Sequence, residues 1–132
     1  VETLEFLHRG GRIGGASRFL GTALNLKPIL QIQAGKVEAL ERVRTSNKAQ
    51  ERLLELLEDN INNHKPLNLI GVVNAMAAES ASALLNQINS RFNPDEILIA
   101  DLSPVLGTHV GPGTVGVAYC VGVDLNSFEN SL

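Results

Sequence analysis

The sequence has few of the residues on which crosslinked, membrane-spanning and nucleic-acid-binding proteins depend. Its 132 residues include one cysteine, Cys120, and no tryptophan. A single cysteine excludes a disulfide within the chain, and this usage is typical of a reducing compartment, so we expect a cytoplasmic protein. No apolar run approaches the roughly 20 residues that a membrane-spanning helix needs. A formal net charge of −3 argues against a nucleic-acid partner.

The start of the chain also lacks two common features. It shows no secretory signal peptide, and its first residue is Val1 rather than methionine. We therefore expect either a processed product or a piece of a longer protein. Its length lies within the usual range for one domain, so a single core is feasible.

What the chain does contain is a glycine-rich stretch, Leu106–Gly116, with four glycines, one proline, two threonines and His109. Glycine lets a ligand approach the backbone closely, and histidine is a common site group. The spacing from Gly111 to Gly116 matches G-x-G-x-x-G, but that dinucleotide motif must open a helix. The residues that follow read as a strand, so we reject the nucleotide interpretation. A strained turn with an incidental histidine remains the alternative to a ligand loop.

Hydrophobic periodicity predicts an α/β fold in which a mixed β-sheet carries a hairpin and a βαβ unit, with helices packed on it. The hairpin comprises 28–33 and 37–44, joined by a glycine turn. The βαβ unit predicts a parallel strand pair. The other expected elements are a short helix over 3–9, helices over 16–25, 46–62 and 78–92, strands over 67–73 and 97–102, and a last strand over 115–122. We expect Ser46 to cap the third of these helices and the chain to break at 103–104.

Two further patterns bear on a site. The glycine- and arginine-rich loop 10–15 between two short helices suits an anion, because N–H groups, a helix N-terminus and a guanidinium can converge there. A plain connection with solvated arginines is the simpler alternative. Arg42 and Arg44 project from the same side of a strand. His8, His64 and His109 lack the spacing of metal ligands, so we expect neither a metal nor a cofactor.

Three segments together resemble the C-terminal domain of the DegV family of bacterial fatty-acid-binding proteins. They are 4–14, 26–30 with 43–45, and 103–113. The resemblance implies one half of a two-domain carrier, with a long-chain fatty acid bound between the domains and its carboxylate presented to a fatty acid kinase. Residues 1–125 then form the domain and 126–132 a polar tail. The N-terminal domain, which holds the family's carboxylate-binding hydroxyls, is absent from this sequence.

The resemblance also implies site residues. Arg12, Arg44 and His109 are the polar side chains expected near the carboxylate or the kinase-facing surface. Backbone N–H groups of Gly111 and Gly113 are candidate donors to the same carboxylate, because a buried carboxylate needs hydrogen-bond partners. We expect Arg12 and His109 to lie near each other, on the surface that would face the missing domain.

Three functional hypotheses therefore remain in view. The first is a binding module that is not an enzyme, with the fatty acid and the kinase as its partners. The second is a phosphotransfer domain with His109 as the phosphoryl acceptor. The third is a structural or regulatory domain without a ligand. We also expect the chain to fold alone but to bind fatty acid weakly, because half of the slot is missing.

Overall fold

A computed structural model describes residues 1–21, 25–62 and 66–123 of the chain. The expected tail, 126–132, and His64 lie outside the described residues. In chain order the elements are α1 (Glu5–Arg9), a 3₁₀ helix (Gly14–Phe19), β1 (Lys27–Gln33), β2 (Lys36–Val43), α2 (Ser46–Ile61), β3 (Leu67–Ala75), α3 (Ala78–Phe92), β4 (Glu96–Asp101), α4 (Pro104–Val110) and β5 (Thr114–Val121).

The larger sheet has the strand order β4-β3-β5. β3 pairs with β4 in parallel, from Leu69 opposite Glu96 to Asn74 opposite Asp101, and α3 makes the crossover between them. β5 pairs with the other edge of β3 and is antiparallel to it. The predicted βαβ unit and its parallel pair are confirmed. A continuous apolar run is typical of such a strand, and β3, flanked by two strands, is the most buried of the three.

Helices α2 and α3 pack on one face of this sheet. Their apolar stripes meet the β3 side chains Ile70 and Val72, and Leu84 and Ile88 of α3 are fully buried there. The larger residues of β5, Val115 among them, point to the same side. Gly116, Ala118 and Cys120 point the other way, as their alternation predicts. On β5, the opposite face therefore carries only small side chains.

The hairpin forms as predicted but does not join that sheet. β1 and β2 make a separate two-stranded antiparallel sheet. Its turn residues, Ala34 and Gly35, both have positive φ, 50° and 75°, as a two-residue hairpin turn of type I′ requires. The expectation of one sheet is wrong because β1 and β5 lie on either side of an apolar groove. The side chains that line this groove separate the two strands, which form no backbone hydrogen bonds with each other.

Two helix starts differ from expectation. Thr45, not Ser46, caps α2: its hydroxyl accepts a hydrogen bond from the Lys48 N–H at 3.2 Å, while the Ser46 hydroxyl donates to Glu2 at 2.8 Å. The helix expected over 16–25 is instead a 3₁₀ helix that ends at Phe19, and 22–24 lie outside the described residues. Gly14 sits against the Val37 backbone with no room for a Cβ, so packing on β2 sets this geometry rather than helix propensity.

The third difference concerns the glycine-rich stretch. Half of it is helix α4, not a loop. Ser103 accepts a hydrogen bond from the Leu106 N–H, and Pro104 occupies the first helical turn. These residues start a helix rather than break the chain, because Ser is a preferred N-cap and Pro suits the first turn, whose N–H groups have no helical acceptor.

Candidate functional site

An apolar groove of about 710 Å³ runs between the hairpin, α2 and β5. This volume falls within the roughly 300–1,000 Å³ of small-molecule sites. Several large apolar side chains along it are exposed, including Ile32 (73%), Leu106 (53%) and Tyr119 (41%). Leu53 and Leu56 of α2 also line it. The groove therefore offers a wall of aliphatic surface with one aromatic ring.

Beside this groove, α4 and the segment that follows α1 bring two of the predicted site residues to Gly10. The Arg12 guanidinium donates to the Gly10 carbonyl at 2.8 Å. The imidazole of His109 lies directly over the Gly10 Cα, so closely that a Cβ there would come 2.9 Å from its Cε1. We call Gly10, Arg12 and His109 the Gly10 cluster. The structure thus brings Arg12 and His109 together, as predicted; that they face a further domain stays a prediction.

The groove and the Gly10 cluster are adjacent because they share two helices. Leu7 of α1 and Leu106 of α4 both line the groove. In each helix the cluster residue follows three positions later, as Gly10 and His109, and such residues are neighbours on a helix surface. The polar groups of the Gly10 cluster therefore lie beside a groove whose wall is mostly aliphatic.

The two glycines of the predicted site do not act as proposed from the sequence. The Gly111 N–H donates to the Gly107 carbonyl and the Gly113 N–H to the Ala75 carbonyl, both at 2.8 Å. Neither N–H is free to bind a carboxylate. The helix end and the β3 contact take these donors, because buried N–H groups need partners. Gly111 serves packing instead: at φ 85° and ψ 163°, its Cα meets the Phe6 ring.

Arg44 is the third side chain of the predicted site. It follows β2, is exposed, and makes no hydrogen bond or ion pair with the residues that the structure describes. Its strand neighbour Arg42 stacks over Phe19, with 4.7 Å from the guanidinium carbon to the ring centroid. A β-bulge opposite the Ile29–Leu30 step alters the simple alternation of this strand. The place of Arg44 in the site stays a prediction.

A second concavity, of about 1050 Å³, lies at the carboxyl ends of β3 and β4. The buried Asn74 holds this edge together. Its amide donates to Asp101 at 3.0 Å, and its oxygen accepts from the Ala77 N–H at 2.9 Å. Met76, 91% exposed and at φ 53°, stands at the rim. Our sequence reasoning missed this crevice. The available clue is that each of the two parallel strands carries a polar residue near its carboxyl end, Asn74 in β3 and Asp101 in β4.

Glu2 lies at the border of the groove and the crevice and lines both. Its carboxylate binds Lys27 at 2.6 Å and the Ser46 hydroxyl at 2.8 Å. Burial alone would raise the pKa of Glu2, but these two partners outweigh it and hold the pKa below its ordinary value. The carboxylate is therefore ionised and already paired. It fastens the start of the chain to β1 and α2.

The part of the chain that the structure describes contains neither a cluster of metal ligands nor a membrane-spanning helix. No three His, Cys, Asp or Glu side chains converge as metal ligands there. Among the same residues, no helix has the length and hydropathy to cross a bilayer.

The fold and the glycine–histidine segment define a known family. A family model described as an uncharacterised protein of the DegV family matches residues 1–121. The chain belongs to the DegV family. A DegV domain-containing protein of Streptomyces coelicolor is 41% identical over 118 residues, which are 89% of this chain and 41% of that protein. Protein DegV of Bacillus subtilis is 32% identical, over 91% of this chain and 42% of its own length.

Solved structures of DegV family proteins are similar to this chain. A DegV family protein from Thermus thermophilus, described for its fatty acid binding, matches with a TM-score of 0.82 and 41% identity over 89% of this chain. DegV of Bacillus subtilis, described as a fatty acid binding protein, matches with a TM-score of 0.74 and 30% identity over 92%. The match covers 42% and 43% of those chains. This chain thus spans about two fifths of the length of these relatives.

Proposed function

We propose that this chain is one half of a two-domain, cytoplasmic carrier of long-chain fatty acids, and that it is not an enzyme. The observation that carries the proposal is the likeness to the Thermus thermophilus protein, at 41% identity and a TM-score of 0.82. That protein is described as binding a fatty acid. The apolar groove and the Gly10 cluster supply the two surfaces that such a ligand needs.

The groove is the proposed wall for the acyl chain. Each buried methylene contributes about 0.8 kcal/mol, so the chain length of the ligand supplies most of the affinity. Exposed side chains such as Ile32 and Tyr119 lose contact with water when an acyl chain covers them. Because large apolar side chains of the groove are exposed to solvent, a second wall is required to enclose the ligand. In our proposal the remainder of a DegV-length protein supplies that wall.

The Gly10 cluster is the proposed neighbour of the carboxylate. A carboxylate leaving water needs charged or hydrogen-bonding partners. Arg12 is exposed, and its guanidinium donates to the Gly10 carbonyl. An exposed carboxylate end is also what a fatty acid kinase requires. We propose that the carrier presents the carboxylate there, with Arg44 on the kinase-facing surface.

Titration of palmitate below its micelle concentration tests the interdomain slot. We expect the 132-residue chain alone to bind weakly. If half of a sixteen-carbon chain stays wet, the loss is on the order of 6 kcal/mol, or about four decades in Kd. Submicromolar, stoichiometric binding by the 132-residue chain would show that the slot is complete within it.

A matched pair of variants, in the protein expressed from its complete reading frame, tests the groove. Ile32→Asp places a charge in the groove, whereas Gln33→Asp places the same charge on the adjacent exposed residue outside it. We expect Ile32→Asp to weaken palmitate binding at least tenfold and Gln33→Asp to leave it unchanged. Equal affinities would contradict this use of the groove.

A comparison of palmitate with its methyl ester tests the contact between Arg12 and the carboxylate. We expect palmitate to bind more tightly than its methyl ester, and Arg12→Ala to narrow that difference. Arg9→Ala is the control, since Arg9 is an exposed neighbour that pairs with Glu5. An unchanged acid-to-ester ratio in Arg12→Ala would remove Arg12 from the site while leaving the groove proposal intact.

A further inference from the structure

Gly10 is a glycine for a reason that its backbone does not explain. Its φ and ψ are −80° and −2°, a conformation open to residues with a side chain. What the position lacks is space. A Cβ would lie 2.9 Å from Cε1 of His109, and nearer still to Nδ1. The absence of a side chain at position 10 therefore makes the seat in which the imidazole rests.

The packing of the His109 ring on Gly10 also determines which ring nitrogen carries the proton. Nδ1 of His109 is buried and has no hydrogen-bond partner among the residues that the structure describes. A buried polar nitrogen without a partner is costly with or without its proton, but orphaned N–H groups are rarer in proteins than under-satisfied carbonyl acceptors. A neutral imidazole carries its proton on one nitrogen only. Nδ1 is therefore the bare nitrogen, and Nε2–H becomes the donor of the ring.

The same residue fixes Arg12. Its guanidinium donates to the Gly10 carbonyl at 2.8 Å, while the Gly10 N–H donates to the Phe6 carbonyl at 3.0 Å. The peptide groups on both sides of the Gly10 Cα are thus engaged, and the Cα itself supports the ring. Two side chains from different segments take their positions from one residue.

We infer that Gly10 is a positioning residue that seats the His109 imidazole with Nδ1 bare and Nε2–H as its donor, and that anchors Arg12. The role in carboxylate binding rests on the proposed function; the seating of the ring does not. Alanine fits the backbone at position 10, and the atoms it would strike most closely belong to the end of a side chain. The substitution should therefore displace the ring rather than unfold the chain.

Imidazole ¹⁵N and ¹³C chemical shifts test the seating directly. In the 132-residue chain labelled at histidine, with His109→Gln for assignment, we expect the Nε2–H tautomer of neutral His109. Gly10→Ala should shift these resonances toward a mixture of tautomers. Gly107→Ala is the control, because a methyl group there meets nothing within 4 Å, and its His109 shifts should match the wild type.

The outcomes separate the two claims. An Nδ1–H tautomer in the wild type would overturn the inference, and this measurement stands even if Gly10→Ala fails to fold. Wild-type imidazole shifts in Gly10→Ala would overturn it as well. Altered shifts with at least tenfold weaker palmitate binding, in the protein from the complete reading frame, support both claims. Altered shifts with unchanged affinity support the seating and exclude His109 from the carboxylate site.

Discussion

Substituting alanine for Gly111 tests the packing contact between α1 and the end of α4, where Gly111 meets the Phe6 ring. Gly111 has φ 85° and ψ 163°, a region that is essentially restricted to glycine and costs other residues about 1–3 kcal/mol. A Cβ there would also lie 2.8 Å from Cε2 of Phe6, and overpacking typically costs about 1–3 kcal/mol. Together these terms predict a loss of about 2–6 kcal/mol, a large part of the roughly 5–15 kcal/mol by which domains are stable.

The control lies four residues earlier on the same segment. Gly107 is inside α4, and a Cβ there meets nothing within 4 Å. Replacing a mid-helix glycine with alanine stabilises by about 0.5–1 kcal/mol. The two glycine-to-alanine variants should therefore change stability in opposite directions in urea denaturation followed by circular dichroism.

A third variant divides the predicted loss. In a Phe6→Ala background the steric contact is gone, so Gly111→Ala should cost only its backbone strain of about 1–3 kcal/mol. A Gly111→Ala loss below about 1 kcal/mol in the wild-type background would refute the reasoning, because neither the conformation nor the Phe6 contact could then be as described.

Two further perturbations test the core and an ion pair. Leu84→Ala should cost about 2–5 kcal/mol in urea denaturation, because Leu84 is fully buried, whereas Leu98→Ala at a 54% exposed position should cost far less; equal losses would contradict the assigned core. The bidentate hydrogen bonds from Arg52, both at 2.8 Å, hold the pKa of Glu41 below its ordinary 4.5. The pair therefore stabilises the fold at pH values above 4.5. This stabilisation is lost as the pH falls through the lowered pKa. Glu41→Gln should be slightly less stable than wild type at pH 7, since exposed pairs contribute little, and the difference should vanish in acid; a difference independent of pH would contradict the pairing.

The elements that sequence reasoning predicted well are those with a clear periodicity. β3, α3 and β4 follow one another with apolar patterns of unmistakable length, and the parallel pair follows from their order. The hairpin was predicted because Gly35 lies between two strand-like runs. Its separation from the larger sheet was not, because no local pattern shows which strand edges meet.

The wrong predictions arise where the same residue type is compatible with two different local structures. Ser103 and Pro104 were interpreted as a break, although the same pair can begin a helix. Thr45 and Ser46 are both good caps, and the choice between them depends on Glu2, which is distant in sequence and binds Ser46. Gly111 suggested a ligand loop, whereas its lack of a side chain accommodates Phe6.

The candidate site was predictable only in part. The proximity of Arg12 and His109 was predicted from a family resemblance, and their shared contact with Gly10 could not be derived from either segment alone. The apolar groove depends on the distance between β1 and β5, which is a tertiary quantity. Asn74 and Asp101 both lie near the carboxyl ends of parallel strands, which the sequence shows, but the burial of the Asn74 amide becomes evident only in the fold.

The position of β4 has a practical consequence for handling the 132-residue chain. β4 is an outer strand of its sheet, and all six of its residues are exposed, including Ile97, Leu98 and Ile99. Such an edge is a template for strand addition, which proteins commonly block with lysine or proline. β4 has neither, and its charges stand only at its ends, Glu96 and Asp101. Self-association at high concentration is therefore to be expected along this strand, and a dilute, freshly filtered sample is the appropriate starting point for quantitative measurements.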